Sequence, residues 1–121
     1  MLWTLISLSL MFGIVIKASA WSVDNPAHIE EYIIYAASKE KIPVGEALAI
    51  AQCESSLNRF AKNQSSKEKS LGIFQINLLY HPLTEKEAYN PFININYAMD
   101  LYLKEGWTPW FSCGKKHGII T

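Results

Sequence analysis

Residues 44–57 read VGEALAIAQCESSL. Pro43 stands just before them and supplies the φ that a first helical turn needs. At helical spacing Ala47, Ile50, Ala51 and Leu57 share one face, and Glu54 falls on that same face. Glu54 is the only charged side chain between Ala47 and Asn58. A carboxylate set among apolar groups loses hydration, which disfavours its charged form and raises its pKa. The negative end of the helix dipole acts in the same direction. A carboxyl group that keeps its proton near neutral pH is fitted to be a general acid. The local pattern is equally satisfied by a helix-end Glu54 turned to water or paired with Arg59, so the rest of the chain must decide.

Upstream, Asn25 and Pro26 form an N-cap and a first-turn proline, and Ile29, Tyr32, Ile33 and Ala36 recur at helical spacing. This predicts a first helix over about 26–39. Downstream, RFAKNQSSKEKS (59–70) is polar and rich in Ser and Lys, which suits an exposed loop or at most a short hairpin within 58–72. LGIFQINLLYHP (71–82) lacks Asp, Glu, Lys and Arg and predicts a short helix or turn against the core. A long helix opens near Pro91, with Ile95, Ala98, Met99 and Tyr102 at i, i+3, i+4 and i+7, and Gly106 stops it. The tail GWTPWFSC (106–113) brings two tryptophans and Cys113 back to the body. The elements are helical, so the fold class is mainly α in a single domain.

The whole chain has 121 residues, 11 Lys+Arg against 11 Asp+Glu, and a hydrophobic half. Such a chain buries a core instead of staying disordered. Its balanced charge and lack of a dense basic run argue against a nucleic-acid partner. Two cysteines without CxxC or CxxxH spacing argue against a metal site. From Met1 to Ile16 no side chain is charged, and Ala18-Ser19-Ala20 offers the small residues that a signal peptidase accepts. Residues 1–20 are thus expected to be a signal peptide, leaving 21–121 as a secreted or periplasmic domain; the alternative is an uncleaved N-terminal membrane anchor. In an exported chain Cys53 and Cys113 most simply pair with each other, with a buried free thiol or an intermolecular bond as alternatives. Such a bridge would close a loop of about 60 residues, worth on the order of 4 kcal/mol by loop entropy.

The blocks ESSLNRFAKN (54–63), SLGIFQIN (70–77), NPFININYAM (90–99) and GWTPW (106–110) stand in the order found in lytic transglycosylases and goose-type lysozymes. From about Ile29 to Trp110 the chain resembles these families of the lysozyme-like superfamily. The resemblance implies a lysozyme-like fold and cleavage of the β-1,4 bond between N-acetylmuramic acid and N-acetylglucosamine in peptidoglycan. It implies that Glu54 is the catalytic acid and later the base. Ser55 matches the serine after that Glu, Gly72 and Gln75 match a Gly-x-x-Gln block, and Asn94 and Ile95 match an Asn-Ile pair. Ser55, Gln75 and Asn94 are accordingly expected substrate-binding residues, and Tyr97 joins them for the flat face of its ring. The family's later Ala-Tyr-Asn block has no counterpart in GWTPWFSCGKKH.

Phe74, Tyr97, Trp107 and Trp110 offer flat faces either to sugar rings or to the core. His81, in a Tyr-His-Pro run, reads as an exposed turn residue. Two-carboxylate glycosidases need a second acid, for which Glu68, Glu85, Glu87 and Asp100 are available without a placement. The leading expectation is a lytic transglycosylase working as a monomer on peptidoglycan strands without cofactor or metal. A lysozyme-type hydrolase and a non-catalytic glycan-binding module of the same fold are the alternatives. A thiol enzyme built on Cys53 is disfavoured, because a helix C-terminus beside Glu54 raises a thiol's pKa.

Overall fold

The computed structural model describes residues 22–121, so the expected signal segment and Trp21 lie outside the described residues. Helix α1 (Pro26–Lys39) starts where Asn25 accepts the Ala27 N–H, with Pro26 in the first turn. It buries Ile29, Ile33, Ala36 and Ala37, an i, i+4, i+7, i+8 stripe. Helix α2 (Val44–Ser55) buries Ala47, Ile50 and Ala51, the same apolar face that carries Glu54. Strands β1 (Lys62–Gln64), β2 (Lys69–Leu71) and β3 (Ile76–Asn77) follow. Then come α3 (Glu85–Tyr89), α4 (Pro91–Glu105), a 3-10 turn (Thr108–Trp110) and α5 (Phe111–Lys116).

Helix α1 packs on both α2 and α4, while α3 packs on α4 and α5 on α2. Between them lies one core that includes Ile33, Ile50, Ile73, Phe74, Ile95 and Met99. The small sheet has the order β1-β2-β3, antiparallel throughout, with Asn63 opposite Ser70 and Ser70 opposite Asn77. Strand β1 is wholly exposed, whereas Ser70 and Leu71 in β2 are buried.

The domain is mainly helical with a hairpin in the 58–72 loop, as its patterning predicts. In segment 71–82 the turn alternative holds, at 72–75, and what the patterning does not anticipate is β3, which extends the hairpin to three strands. The positive φ of Gly72 (83°) and Gln75 (50°) breaks any helical run there. Two short helices were also missed. α3 is nucleated by a capping box in which Thr84 Oγ1 accepts the Glu87 N–H and Glu87 Oε1 accepts the Thr84 N–H. The other, α5, is held to the body by a disulfide between Cys53 and Cys113, whose Cα atoms are 5.9 Å apart.

Among the described residues no helix is long and apolar enough to cross a membrane.

Candidate functional site

The last turn of α2 sets the position of Glu54. Ser56 (φ 53°) is the left-handed C-cap, its N–H bonded to the Gln52 carbonyl, and Leu57 (φ 60°) continues left-handed and buried. Holding two consecutive residues in a region that side chains disfavour costs energy, and such strain gathers at sites of function. The chain turns away at once, leaving Glu54 half-buried at the mouth of a cavity.

A polar knot fixes the turn that carries Gln75. Asn94 is fully buried at the start of α4. Its Nδ2 donates to the Leu71 and Ala88 carbonyls (3.0 and 2.9 Å), and its Oδ1 accepts the Phe74 N–H at 2.8 Å. Gly72 lies against it, and a Cβ there would collide with the Ala88 carbonyl and the Asn94 amide. The glycine is required both by this close approach and by its φ. Ser55 Oγ donates to the Ile73 carbonyl at 2.7 Å, tying the end of α2 to the same turn.

The resulting cavity holds about 720 Å³. Glu54 lies in its wall, with Glu68, Ser70, Gln75 and Asn77 from the sheet region. Tyr80 and His81 follow them, and Glu105, Thr108 and Phe111 come from the C-terminal side. Because Cys53 precedes Glu54 and Cys113 lies in the cavity wall, the disulfide joins the acid's own helix to that C-terminal side.

Burial, and then the negative charge of Glu68, pushes the Glu54 carboxyl from its ordinary 4.5 up to about 7. The proposed alternative partner is occupied elsewhere, since Arg59 Nε sits 2.8 Å from Asp24 Oδ1. With desolvation uncompensated by a cation, Glu54 is a carboxyl group that holds a proton close to neutrality. Among the described residues no three His, Cys, Asp or Glu side chains are grouped to hold a metal ion.

The other expected binding residues divide. Gln75 lines the cavity and donates both Nε2 hydrogens inward, to the Ala61 and Gly72 carbonyls at 3.0 Å, which leaves its Oε1 as an acceptor. Asn94 and Ser55 are outside the cavity lining, and their polar groups are committed to backbone, which gives both positions a structural role. Tyr97 is also outside the lining. Its hydroxyl lies 3.0 Å from His81 Nδ1 and its ring meets the imidazole edge-on, so it acts on the cavity through His81. His81 is therefore half-buried and partnered, not an exposed turn residue.

Phe74, Trp107 and Trp110 belong to the core. Trp110 Nε1 donates to the Phe74 carbonyl at 2.7 Å, and Trp107 Nε1 donates to Glu46 Oε2 at 2.9 Å. Sequence reasoning left Glu68 unplaced and did not single out Tyr80 or Phe111. Their proximity to Glu54 is tertiary, and only the approach of Phe111 had a local signal, the Cys113 two residues later.

Comparison with curated proteins and with solved structures returns no match. Comparison with protein families matches the transglycosylase SLT domain over residues 31–107, from α1 through the end of α4 to Trp107. That span is well over half of the sequence and contains Glu54, the Gly72–Gln75 turn and the Asn94 knot. This mainly helical, lysozyme-like chain belongs to the transglycosylase SLT domain family, a family of lytic transglycosylases that act on peptidoglycan.

Proposed function

We propose that the protein cleaves the β-1,4 bond between N-acetylmuramic acid and N-acetylglucosamine as a lytic transglycosylase, with Glu54 as acid and then base. The observation that carries this reading is the Glu54 carboxyl, unpaired in the cavity wall and pushed up to about 7. Protonated Glu54 gives its proton to the glycosidic oxygen as the C1–O bond breaks and positive charge develops at C1. The carboxylate so formed takes the proton of the same sugar's C6 hydroxyl, whose oxygen closes on C1 as a 1,6-anhydro end. Family membership and the absence of a cationic partner for Glu54 among the described residues support this route over a glycan-binding module, which has no use for a desolvated acid.

A lysozyme-type hydrolase is the second reading, and Glu68 favours it. It gives the cavity a second carboxylate, held by the Ser70 hydroxyl at 2.8 Å. In that case water, not the C6 hydroxyl, attacks C1.

The test is digestion of purified sacculi with mass spectrometry of the released fragments. The transglycosylase reading expects anhydro ends, lighter by one water, and the hydrolase reading expects reducing ends that disappear in Glu68→Gln. Glu54→Gln should lose activity by about 10³-fold with its fold retained. Unchanged digestion by that variant would overturn both.

We propose further that residues 1–20 direct the domain out of the cytoplasm, as a cleaved signal or an anchor. The Cys53–Cys113 disulfide supports an oxidising compartment. Amino-terminal sequencing of the exported protein should begin at Trp21, and retention of Met1 on a membrane-bound product would identify the anchor.

A further inference from the structure

The aromatic rings around the cavity fall into two groups. Trp110 is 4% exposed and its indole N–H is used inside the core. Tyr80 and Phe111 line the same cavity yet are 76% and 54% exposed. Single apolar side chains on an outer helix face, such as Tyr35 and Leu103, are ordinary and carry no argument. Tyr80 and Phe111 differ from them because two segments far apart in sequence each bring a ring to the wall that contains Glu54.

Both rings stand on fixed backbone. Asn77 Oδ1 accepts the Leu79 N–H at 3.1 Å, the Asn77 carbonyl accepts the Tyr80 N–H at 3.1 Å, and the Leu78 N–H is bonded to Lys69. The turn bearing Tyr80 is thereby anchored to the sheet. Phe111 opens α5 two residues before the Cys113 bridge and directly after buried Trp110. The Lys115 ammonium lies 5.6 Å from its ring centroid. An aromatic side chain has only two torsions to lose on binding, so a ring held in water beside a polar cavity is prepared for a flat apolar ligand at small entropic cost. In a β-1,4-linked glycan every pyranose chair presents such a face, made of axial C–H bonds. The amide and hydroxyl groups of Gln75, Asn77 and Thr108 in the same cavity lining suit its acetamido and hydroxyl groups.

We propose that Tyr80 and Phe111 are sugar-stacking platforms that hold successive pyranose rings of the glycan across Glu54. The assignment rests on the peptidoglycan reading of the same cavity and adds the residues that grip the polymer. It is tested by binding in the Glu54→Gln background, where substrate is not consumed, with insoluble sacculi and a tetramer of β-1,4-linked N-acetylglucosamine as probes. Tyr80→Ala and Phe111→Ala should each weaken binding about five- to tenfold. Tyr80→Phe and Phe111→Tyr should stay within about twofold of the parent, while Tyr80→Leu should behave like the alanine variant. Both positions are exposed, so circular dichroism should be unchanged in every variant. Equal binding by the alanine variants, or by Tyr80→Leu and Tyr80→Phe alike, overturns the platforms alone. A Glu54→Gln parent that binds neither probe overturns the peptidoglycan reading, and the platforms with it.

Discussion

Asn94 and Glu54 are both polar side chains set among apolar ones, and they are treated in opposite ways. Asn94 is wholly buried and spends both amide hydrogens and its oxygen on three backbone groups from two segments. Glu54 is half-buried, faces a cavity and has no cation beside it among the described residues, so its charge is disfavoured. A satisfied buried group specifies structure, because each partner would otherwise be an orphan in a dry interior. An unsatisfied one at a cavity wall keeps its free energy available for chemistry. Both are tied to the Gly72–Gln75 turn, Asn94 through the Phe74 N–H and the helix that carries Glu54 through Ser55 Oγ.

The comparison breaks most severely at Asn94. Asn94→Ala strands the Phe74 N–H and the Leu71 and Ala88 carbonyls, and should cost about 3–4 kcal/mol in urea-induced unfolding. Activity should fall only as far as the folded fraction falls. Full stability in that variant would mean that water or rearrangement replaces the knot. Next in size is the bridge that brings the C-terminal wall to Glu54. Replacing Cys53 and Cys113 together by alanine should lower stability by about 3 kcal/mol. Far-UV circular dichroism during denaturation measures it, and a loss under 1 kcal/mol would show that α5 docks without the cross-link.

The smallest effect is on the Glu54 side and has the opposite sign. Between about pH 4.5 and 7 the folded protein holds a proton at Glu54 that the unfolded chain gives up. The stability this confers is complete below 4.5 and is lost as pH rises through 7. At pH 8 the Glu54→Gln protein should therefore be more stable than the parent. The gain is about 1–2 kcal/mol once the solvent contact of a half-buried carboxyl is discounted. At pH 4 the two should agree. Equal stability of the two proteins at both pH values would place Glu54 in water.

What the sequence revealed of this contrast follows from the range of the forces involved. The spacing of Ile29, Ile33 and Ala36, of Ala47, Ile50 and Ala51, and of Ile95, Ala98 and Met99 records burial one turn at a time, so α1, α2 and α4 were legible. Glu54 was visible as the one charge on an apolar face. Helix α3 was legible in principle, since Thr84 and Glu87 form a capping box in TEKE. β3 was not, because two residues directly after the left-handed Gln75 leave no period to count. Asn94 was expected at the substrate from the family resemblance, and its pattern raised no objection, because a polar residue on an apolar stripe looks the same whether it faces a ligand or three buried backbone groups. Trp107 and Trp110 stay open between cleft and core in sequence for a related reason, as an indole offers a flat face and an N–H that a core uses as readily as a sugar does. Tyr80, Glu68 and Phe111 meet Glu54 only through the packing of distant segments.

The central claim is that the cavity keeps the Glu54 carboxyl protonated to near-neutral pH. Carbon-13 NMR titration of the side-chain carboxyls, with Glu54→Gln identifying the resonance, measures this directly. The account predicts a midpoint for Glu54 near 7. A midpoint at the ordinary 4.5 would contradict it.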